Sequence, residues 1–323
     1  MPHNILVIGE LDDRSTSTTT LELLAGASEI AAGGNVSVTL LGTGAAKATV
    51  ACAGANTAYT SDDAQYDDFR GDQWISAILS AVESESPDVI LVAQSIVGRE
   101  VGPRLSYKLG TAVAMDCVSI SDEEGSVKAT RPCFGGNAMA TYGFSTSPAI
   151  ATVRAKSFEV IEDGSGPATS TELPAASGSR TEIVATEAAT SEGLQIQDAT
   201  VVVTGGRGLG DAEAFGEMES LASAIGLDKA AVGASRAAVD LGWYPPSQQV
   251  GLTGKVVTPD LYLAVAVSGA SQHMAGCSGS KTIVGINRDE EANIWSFSRY
   301  GIIGDYKQIV PALIEELKKA SGK

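Results

Sequence analysis

Hydrophobic residues in the first half of the chain alternate between short apolar runs and longer segments with helical spacing. The apolar runs cover residues 5–8, 36–41 and 88–93, and the helical segments cover residues 18–32, 69–82 and 101–109. Strands that alternate with helices in this way are typical of a mostly parallel sheet covered by helices. The pattern therefore predicts an N-terminal α/β domain.

The pattern changes further along the chain, where three strand-like runs follow one another at residues 127–133, 138–144 and 149–153. The Gly-Gly-Asn sequence at 135–137 separates the first two runs with a hairpin signal. We interpret the three runs as a β-rich extension that closes the first domain. Residues 161–181 are then dominated by small and polar residues, which predicts a flexible connection. The first domain is placed at residues 1–190.

A second domain is predicted at residues 198–323. The strand-like run 200–204 enters a glycine-rich turn at 205–210, and a helix with one apolar face is predicted over 211–225. Two further apolar runs follow at 261–267 and 282–286, and a last helix is predicted to start near Tyr306. Strands and helices in this order predict a doubly wound α/β domain.

Composition and charge limit the classes of function. The chain is 44% hydrophobic and 19% charged, an ordinary balance for a globular protein. Its net charge of −17 argues against nucleic-acid binding and suits either solubility or docking to a basic partner. The most apolar run is shorter than the roughly 20 residues of a membrane-spanning helix, and the first residues lack a signal-peptide pattern. We therefore expect a soluble, cytoplasmic protein without direct membrane insertion.

The distribution of reactive side chains argues against hydrolysis and metal binding. The four cysteines are scattered without metal-ligand spacing, so they are expected to be reduced and structural. His273 is the single internal histidine, and no nucleophile is convincingly paired with it. A dehydrogenase that uses NAD requires a G-x-G-x-x-G turn, which the chain lacks.

The glycine-rich turn at 205–210 is the first candidate ligand site. Backbone N–H groups in such a turn, together with a helix N-terminus, bind anions, and the guanidinium of Arg207 matches phosphate geometry. The turn alone is equally consistent with a tight connection that binds nothing. The same two interpretations stay open for Ser235 and Arg236, because Arg236 is also expected as an ordinary surface residue on a helix.

A second candidate site follows the apolar run 261–267. A strand that ends in Ser268-Gly269 and continues into polar residues has the form of a ligand-facing crevice. His273 lies in this segment, and its position favours function over a structural role. Asn287 and Asp305 are unremarkable by themselves, because such residues commonly lie at strand ends and helix caps for local reasons.

Taken in order, six segments of the second half resemble the C-terminal domain of electron-transferring flavoprotein α subunits. The segments are Gly205-Gly206-Arg207-Gly208, Val232-Gly233-Ala234-Ser235-Arg236, Gln249-Val250-Gly251-Leu252-Thr253-Gly254-Lys255, Ser268-Gly269-Ala270-Ser271-Gln272-His273-Met274-Ala275-Gly276, Ile286-Asn287-Arg288-Asp289 and Tyr300-Gly301-Ile302-Ile303-Gly304-Asp305. The first half is similar to the family more loosely, through its α/β pattern.

The resemblance implies that FAD binds in the second domain. Arg207 and Ser235 would then hold the diphosphate, Arg236 would lie near the flavin ring, Thr253 would bind flavin N5, and His273 would approach flavin O2. The full set of cofactor-binding residues that it implies is Arg207, Ser235, Arg236, Val250, Gly251, Leu252, Thr253, Ser268, Gly269, Ala270, Ser271, Gln272, His273, Asn287, Asp305 and Tyr306. The family usually has Gln at the position of Leu252, so the resemblance implies a lost polar contact there and an altered flavin potential.

The resemblance also implies partners. The α subunit would form a heterodimer with a β subunit that holds AMP or, in bifurcating members, a second FAD. Flavin dehydrogenases such as acyl-CoA dehydrogenases would donate electrons, and a membrane quinone oxidoreductase or another acceptor would receive them. Two alternatives remain: an electron-bifurcating flavoprotein that oxidises NADH, and a regulatory homologue of the same fold without redox activity.

Overall fold

The computed structural model describes residues 1–136, 138–161, 164, 166–167, 169–175, 178–185 and 194–320. Two compact units make up the chain. The first comprises Met1–Pro132 and Met139–Thr186, and the second comprises Cys133–Ala138 and Glu187–Lys323. The predicted end of the first domain at residue 190 lies outside the described residues, as do parts of the predicted connection at 161–181.

The first unit contains twelve strands and four helices within its described residues. Its strands are β1 Ile5–Ile8, β2 Leu11–Asp12, β3 Ser15–Thr16, β4 Val36–Leu41, β5 Thr57–Ser61, β6 Val89–Ala93, β7 Val113–Cys117, β8 Ser119–Glu123, β9 Ser126–Cys133, β10 Ala138–Gly143, β11 Ala149–Val153 and β12 Thr169–Glu172, with the ends of β9 and β10 assigned to the second unit. Its helices are α1 Thr18–Ile30, α2 Ala45–Ala48, α3 Gly71–Glu85 and α4 Ile96–Leu109.

Seven of these strands form one parallel sheet in the order β12-β5-β4-β1-β6-β11-β7. Both faces of its central strands are buried: Ile5 and Val7 of β1 contribute to one hydrophobic cluster, whereas Leu6 and Ile8 contribute to another. Burial on both faces explains why such strands appear in the sequence as continuous apolar runs.

Two predictions about this unit need correction. The run 149–153 was assigned to a β-rich extension, but β11 lies within the parallel sheet, between β6 and β7. The remaining extension is a separate sheet of β8, β9 and β10. Part of the predicted flexible connection is an edge strand, because β12 pairs with β5 from Thr169 to Glu172. The polar side chains of β12 do not prevent it from joining the sheet, because the hydrogen bonds between strands are made by the backbone.

The second unit is a doubly wound domain. Its strands are β13 Val201–Gly205, β14 Ala230–Ser235, β15 Gln249–Val250, β16 Leu261–Val265, β17 Thr282–Asn287 and β18 Tyr300–Ile303, and its helices are α5 Phe215–Ile225, α6 Arg236–Asp240, α7 Ser271–Met274 and α8 Tyr306–Ala320. The strands form one parallel sheet in the order β15-β14-β13-β16-β17-β18. The α/β fold class and two-domain layout are therefore confirmed.

The helix after the glycine-rich turn begins later than predicted. A single turn of 3₁₀ helix covers Arg207–Leu209, and α5 starts at Phe215 rather than at residue 211. The carboxylate of Asp211 accepts a hydrogen bond from the backbone N–H of Ala214, 2.9 Å away, and so orders the intervening loop. Among the described residues, none of the helices has the length and apolarity needed to cross a membrane.

Candidate functional site

A cleft of about 770 Å³ opens at the carboxyl ends of the strands in the second unit. The strand order reverses direction between β13 and β16, and ligands of open α/β sheets bind at this switch point. The cleft brings together most of the residues that were predicted to bind a cofactor: Arg207, Ser235, Arg236, Val250, Gly251, Leu252, Thr253, Ser268, Ala270, Gln272, His273 and Asn287.

The floor of the cleft is made by the glycine-rich turn after β13. A Cβ atom added to Gly206 would lie 2.2 Å from the carbonyl oxygen of Ala266, so only glycine fits there. The backbone N–H of Gly206 donates to the carbonyl of Val265, and that of Gly208 donates to the carbonyl of Ala266. This close packing brings backbone to the surface of the cleft beside the exposed side chain of Arg207.

One wall carries a hydroxyl and a guanidinium at the end of β14. The Oγ atom of Ser235 is buried and has no hydrogen-bond partner within the described part of the chain. Arg236 follows directly, with its side chain 66% exposed and its Nε 3.4 Å from a carboxylate oxygen of Asp240. Buried hydroxyls normally have a partner. An unpaired hydroxyl beside a guanidinium therefore fits a polar, negatively charged ligand group such as a phosphate.

The loop after β15, which pairs with β14, also lines the cleft. The backbone N–H of Leu252 donates to the carbonyl of Gln272, 2.8 Å away, which ties this loop to α7. The amide of Gln249 donates to Oγ1 of Thr253 at 3.0 Å. The side chain of Leu252 is 62% exposed and gives this part of the cleft an apolar surface. The predicted contact between Thr253 and flavin N5 stays a prediction.

His273 lies on the cleft wall, but its imidazole is largely buried. Its Nε2 forms a 2.8 Å hydrogen bond with the hydroxyl of Tyr262, and its Nδ1 has almost no exposed surface. Burial lowers the pKa of His273 to about 4, against a smaller opposing effect of the Val250 backbone. The imidazole is therefore neutral at pH 7 and offers a dipole rather than a charge. Its predicted approach to flavin O2 stays a prediction.

Asp305 and Tyr306 line a smaller cavity of about 260 Å³, which shares Gly208, Ala266, Asn287 and Arg288 with the cleft. The carboxylate of Asp305 accepts a hydrogen bond from the backbone N–H of Lys307 at the start of α8. The hydroxyl of Tyr306 donates to the carbonyl of Leu209 at 2.7 Å and is buried. The contact of Asp305 is therefore local, of the kind that cap residues commonly make, whereas that of Tyr306 joins the start of α8 to the glycine-rich turn.

The remaining predicted residues contribute differently. Asn287 donates from Nδ2 to the carbonyl of Val267 and accepts at Oδ1 from the backbone N–H of Asp289, so it holds two loops of the cleft together. Gly269 has φ of +79°, and an added Cβ would lie 2.2 Å from the backbone nitrogen of Ile294. Ser271 is exposed at the start of α7. Gly269 and Ser271 do not line the cleft.

The cleft also contains residues that were not assigned to the cofactor from the sequence. They are Gly206, Gly208, Ala237, Asp240, Gln249, Ala266, Val267, Arg288 and Asp289. Six of the nine are immediate sequence neighbours of assigned residues; Asp240, Ala266 and Asp289 are not. The rule that ligands bind at this edge of a parallel sheet would have found them, had the strand ends been known.

A cleft of this size and chemistry fits an extended nucleotide cofactor. The main cleft and the smaller cavity meet along one edge of the sheet, and ligand pockets usually occupy about 300–1,000 Å³. Arg207, Arg236 and Arg288 provide guanidinium groups for phosphates along it. The fold and the site together therefore define a nucleotide-cofactor-binding α/β protein.

Comparisons with known proteins identify the family. The family model described as the electron transfer flavoprotein domain matches residues 5–181, and the model described as the electron transfer flavoprotein FAD-binding domain matches residues 195–278. The chain is 35% identical to the electron transfer flavoprotein subunit alpha of Bacillus subtilis, with 99% of this chain and 98% of the relative covered. It is 37% identical to the Mycobacterium tuberculosis subunit alpha, with 98% and 99% covered. The chain belongs to the electron transfer flavoprotein α-subunit family.

A third relative is Protein FixB of Clostridium saccharobutylicum, which is 36% identical over 82% of this chain and 80% of its own length. Family membership confirms the recognition made from the six sequence segments. It supports a role in electron transfer and a flavin-binding second unit.

Proposed function

We propose that this chain is the α subunit of a heterodimeric electron carrier that holds FAD in the cleft of its second unit. The observation that supports this most directly is the position of the cleft. It lies at the switch point of the sheet, and its lining includes the glycine-rich turn together with Ser235, Arg236 and Thr253. When bound, FAD supplies the redox chemistry, and the protein supplies binding and electrostatics.

Different side chains of the cleft would bind different parts of FAD. Arg207 and the unpaired hydroxyl of Ser235 would hold the diphosphate, because both present donors that match phosphate oxygens. The smaller cavity beside Asn287 and Asp305 would receive the adenosine end. Arg236 would lie near the flavin ring, where a fixed positive charge favours negative charge on the reduced cofactor. The exposed Leu252 would cover part of the ring with apolar surface.

Partners follow from the family. We propose a β subunit that holds AMP or a second FAD, flavin dehydrogenases such as acyl-CoA dehydrogenases as electron donors, and a membrane quinone oxidoreductase as one acceptor. This would place the protein in fatty-acid β-oxidation. A cytoplasmic location is proposed as well, and it is supported by the free thiols of Cys52, Cys117, Cys133 and Cys277, as expected in a reducing compartment.

A second candidate function is electron bifurcation, in which a second flavin would allow oxidation of NADH. The residues that would distinguish the two functions belong mostly to the β subunit. A third candidate, a regulatory homologue without redox activity, is favoured only by Leu252 and is disfavoured by the presence of Arg207, Arg236, Thr253 and His273.

The decisive experiment is a visible absorption spectrum of the chain after co-expression and co-purification with its β subunit, together with the flavin content. One FAD per heterodimer would support the simple carrier, and two would favour the bifurcating one. A colourless complex that added FAD does not reconstitute would overturn the assignment.

A matched pair of variants shows whether FAD is bound in this cleft. Arg207→Ala removes a guanidinium from the cleft, whereas Arg299→Ala removes an exposed guanidinium that does not line it. We expect FAD retention on gel filtration to fall in Arg207→Ala and to stay unchanged in Arg299→Ala. Equal retention in both variants would place the cofactor elsewhere.

A further inference from the structure

Beneath the cleft wall lies a buried hydrogen bond between two side chains of different elements. Tyr262 belongs to β16, and its side chain is fully buried in the core on one face of the sheet. Its hydroxyl lies 2.8 Å from Nε2 of His273 on α7. His273 in turn lines the cleft. The residues that the six sequence segments point to do not include Tyr262, and it does not line the cleft itself.

The two ring nitrogens of His273 have different surroundings. Nδ1 makes no hydrogen bond of ordinary geometry to any described residue. The backbone of Val250 nevertheless raises the pKa of His273 against the larger lowering effect of burial. A hydrogen-bonding group raises the pKa of histidine when it accepts from the charged form. This is the effect of a backbone carbonyl, and because Nε2 is taken by Tyr262 we assign the Val250 carbonyl to the Nδ1 side, where it makes no hydrogen bond.

A neutral imidazole carries one proton, so one nitrogen donates and the other accepts. The hydroxyl of Tyr262, 2.8 Å from Nε2, donates its O–H when Nε2 is the acceptor, which places the imidazole proton on Nδ1. A carbonyl on the Nδ1 side favours the same tautomer. Thr204 and Cys277 are the other polar groups near this hydroxyl. The thiol of Cys277 stays neutral because burial raises its pKa to about 12, and the pKa of Tyr262 is raised well above its usual value. The network therefore carries no charge near neutral pH.

We propose that Tyr262 is a positioning residue, whose hydroxyl holds His273 in one orientation and in the tautomer with the proton on Nδ1. His273 then connects β16, through Tyr262, with the end of β15 at Val250. The loop after Val250 is also held by the bond from Leu252 to the carbonyl of Gln272, and Gly276 lies so close that an added Cβ would approach Gly251 to 2.4 Å. The pair thus supports the cleft wall that carries Leu252 and Thr253.

The tautomer is testable without any cofactor. The chain has only two histidines, so isotope-labelled histidine in this chain, with the partner subunit unlabelled, yields two sets of ring-nitrogen NMR signals. His3 serves as an internal reference. We expect His273 to show its proton on Nδ1 and an acceptor Nε2 in the unmodified protein. A proton on Nε2 there would overturn the proposal, whatever the behaviour of any variant.

The variant Tyr262→Phe removes only the hydroxyl. Its matched control is Tyr59→Phe, which removes a largely buried hydroxyl bonded to Glu85 in the other unit. We expect Tyr262→Phe to change the His273 signals toward a mixture of tautomers, and Tyr59→Phe to leave them unchanged. Unaltered His273 signals in a folded Tyr262→Phe protein would also overturn the proposal. If this variant fails to fold, the NMR signals of His273 in the unmodified protein still test the proposal, because they show which ring nitrogen carries the proton.

The consequence for the cofactor rests on the proposed function. Loss of the hydrogen bond should weaken FAD binding to the heterodimer by about two- to tenfold in Tyr262→Phe, with no change in Tyr59→Phe. Equal affinity in both would contradict a positioning role at the cleft. If the unmodified heterodimer binds no FAD, the proposed function fails, whereas the NMR result still decides the tautomer on its own.

Discussion

Nε of Arg236 lies 3.4 Å from a carboxylate oxygen of Asp240, one helical turn further along α6 at the edge of the cleft. Both side chains are well exposed, at 66% and 62%. An exposed ion pair of this kind contributes only about 0–1 kcal/mol to stability. Arg236 is therefore available to a negatively charged ligand, and Asp240 competes with that ligand for it.

Replacement of Arg236 separates its role toward the ligand from its role in stability. We expect Arg236→Ala to lower the midpoint reduction potential of the bound flavin, because a nearby positive charge favours the reduced, anionic cofactor. The free energy of unfolding should change by less than about 1 kcal/mol. A redox titration and a urea titration measure the two effects. Asp240→Asn is the matched control, and it should shift the potential upward. An unchanged potential in Arg236→Ala would refute the assigned role.

The glycine-rich turn tolerates no side chain at Gly206. We expect Gly206→Ala to destabilise the second unit and to abolish flavin retention, because its Cβ would lie 2.2 Å from the carbonyl oxygen of Ala266. Gly216→Ala is the control, since nothing lies within 4 Å of its added Cβ in α5. That change should stabilise the helix by about 0.5–1 kcal/mol. Thermal unfolding with and without flavin measures both, and normal flavin content in Gly206→Ala would show that the turn can move.

Stability should fall in acid because His273 is buried in its neutral form. The unfolded chain takes up a proton on this side chain near pH 6.5, whereas the folded chain does so near pH 4. His273 therefore does not lower the free energy of unfolding above pH 6.5, but that free energy decreases as the pH falls from 6.5 toward 4. The loss should be on the order of 2–3 kcal/mol. Urea unfolding between pH 7.5 and 4.5 should show a smaller loss in His273→Gln, and equal pH dependence of both proteins would contradict a buried neutral imidazole.

Tyr306 is expected to act through the glycine-rich turn. Its buried hydroxyl donates to the carbonyl of Leu209, so Tyr306→Phe should leave that acceptor unpaired and cost about 1–3 kcal/mol of unfolding free energy. FAD affinity should fall modestly, because the turn that holds the phosphates is loosened. Calorimetric unfolding and a flavin titration measure these effects. A variant that loses FAD binding without losing stability would instead indicate direct contact between Tyr306 and the cofactor.

Several elements of the fold were predicted closely from local pattern. The observed β1, β4 and β11 have the bounds of three apolar runs in the sequence. Central strands of a parallel sheet are buried on both faces, so their residues are apolar without interruption, and they are recognisable one segment at a time. The six segments that resemble the family were recognisable for a different reason: each is a short run of characteristic residues, and five of the six contain glycine.

The sequence by itself determined the fold class, the family and most of the residues that line the cleft, because these depend on side-chain type at positions close together in the chain. Only the tertiary structure decided where β11 and β12 pair, because backbone hydrogen bonding between distant segments leaves little mark on either one. The same holds for His273. Its residue type indicated a polar group at the cleft, but the burial that lowers its pKa and the bond to Tyr262 arise from packing between α7 and β16.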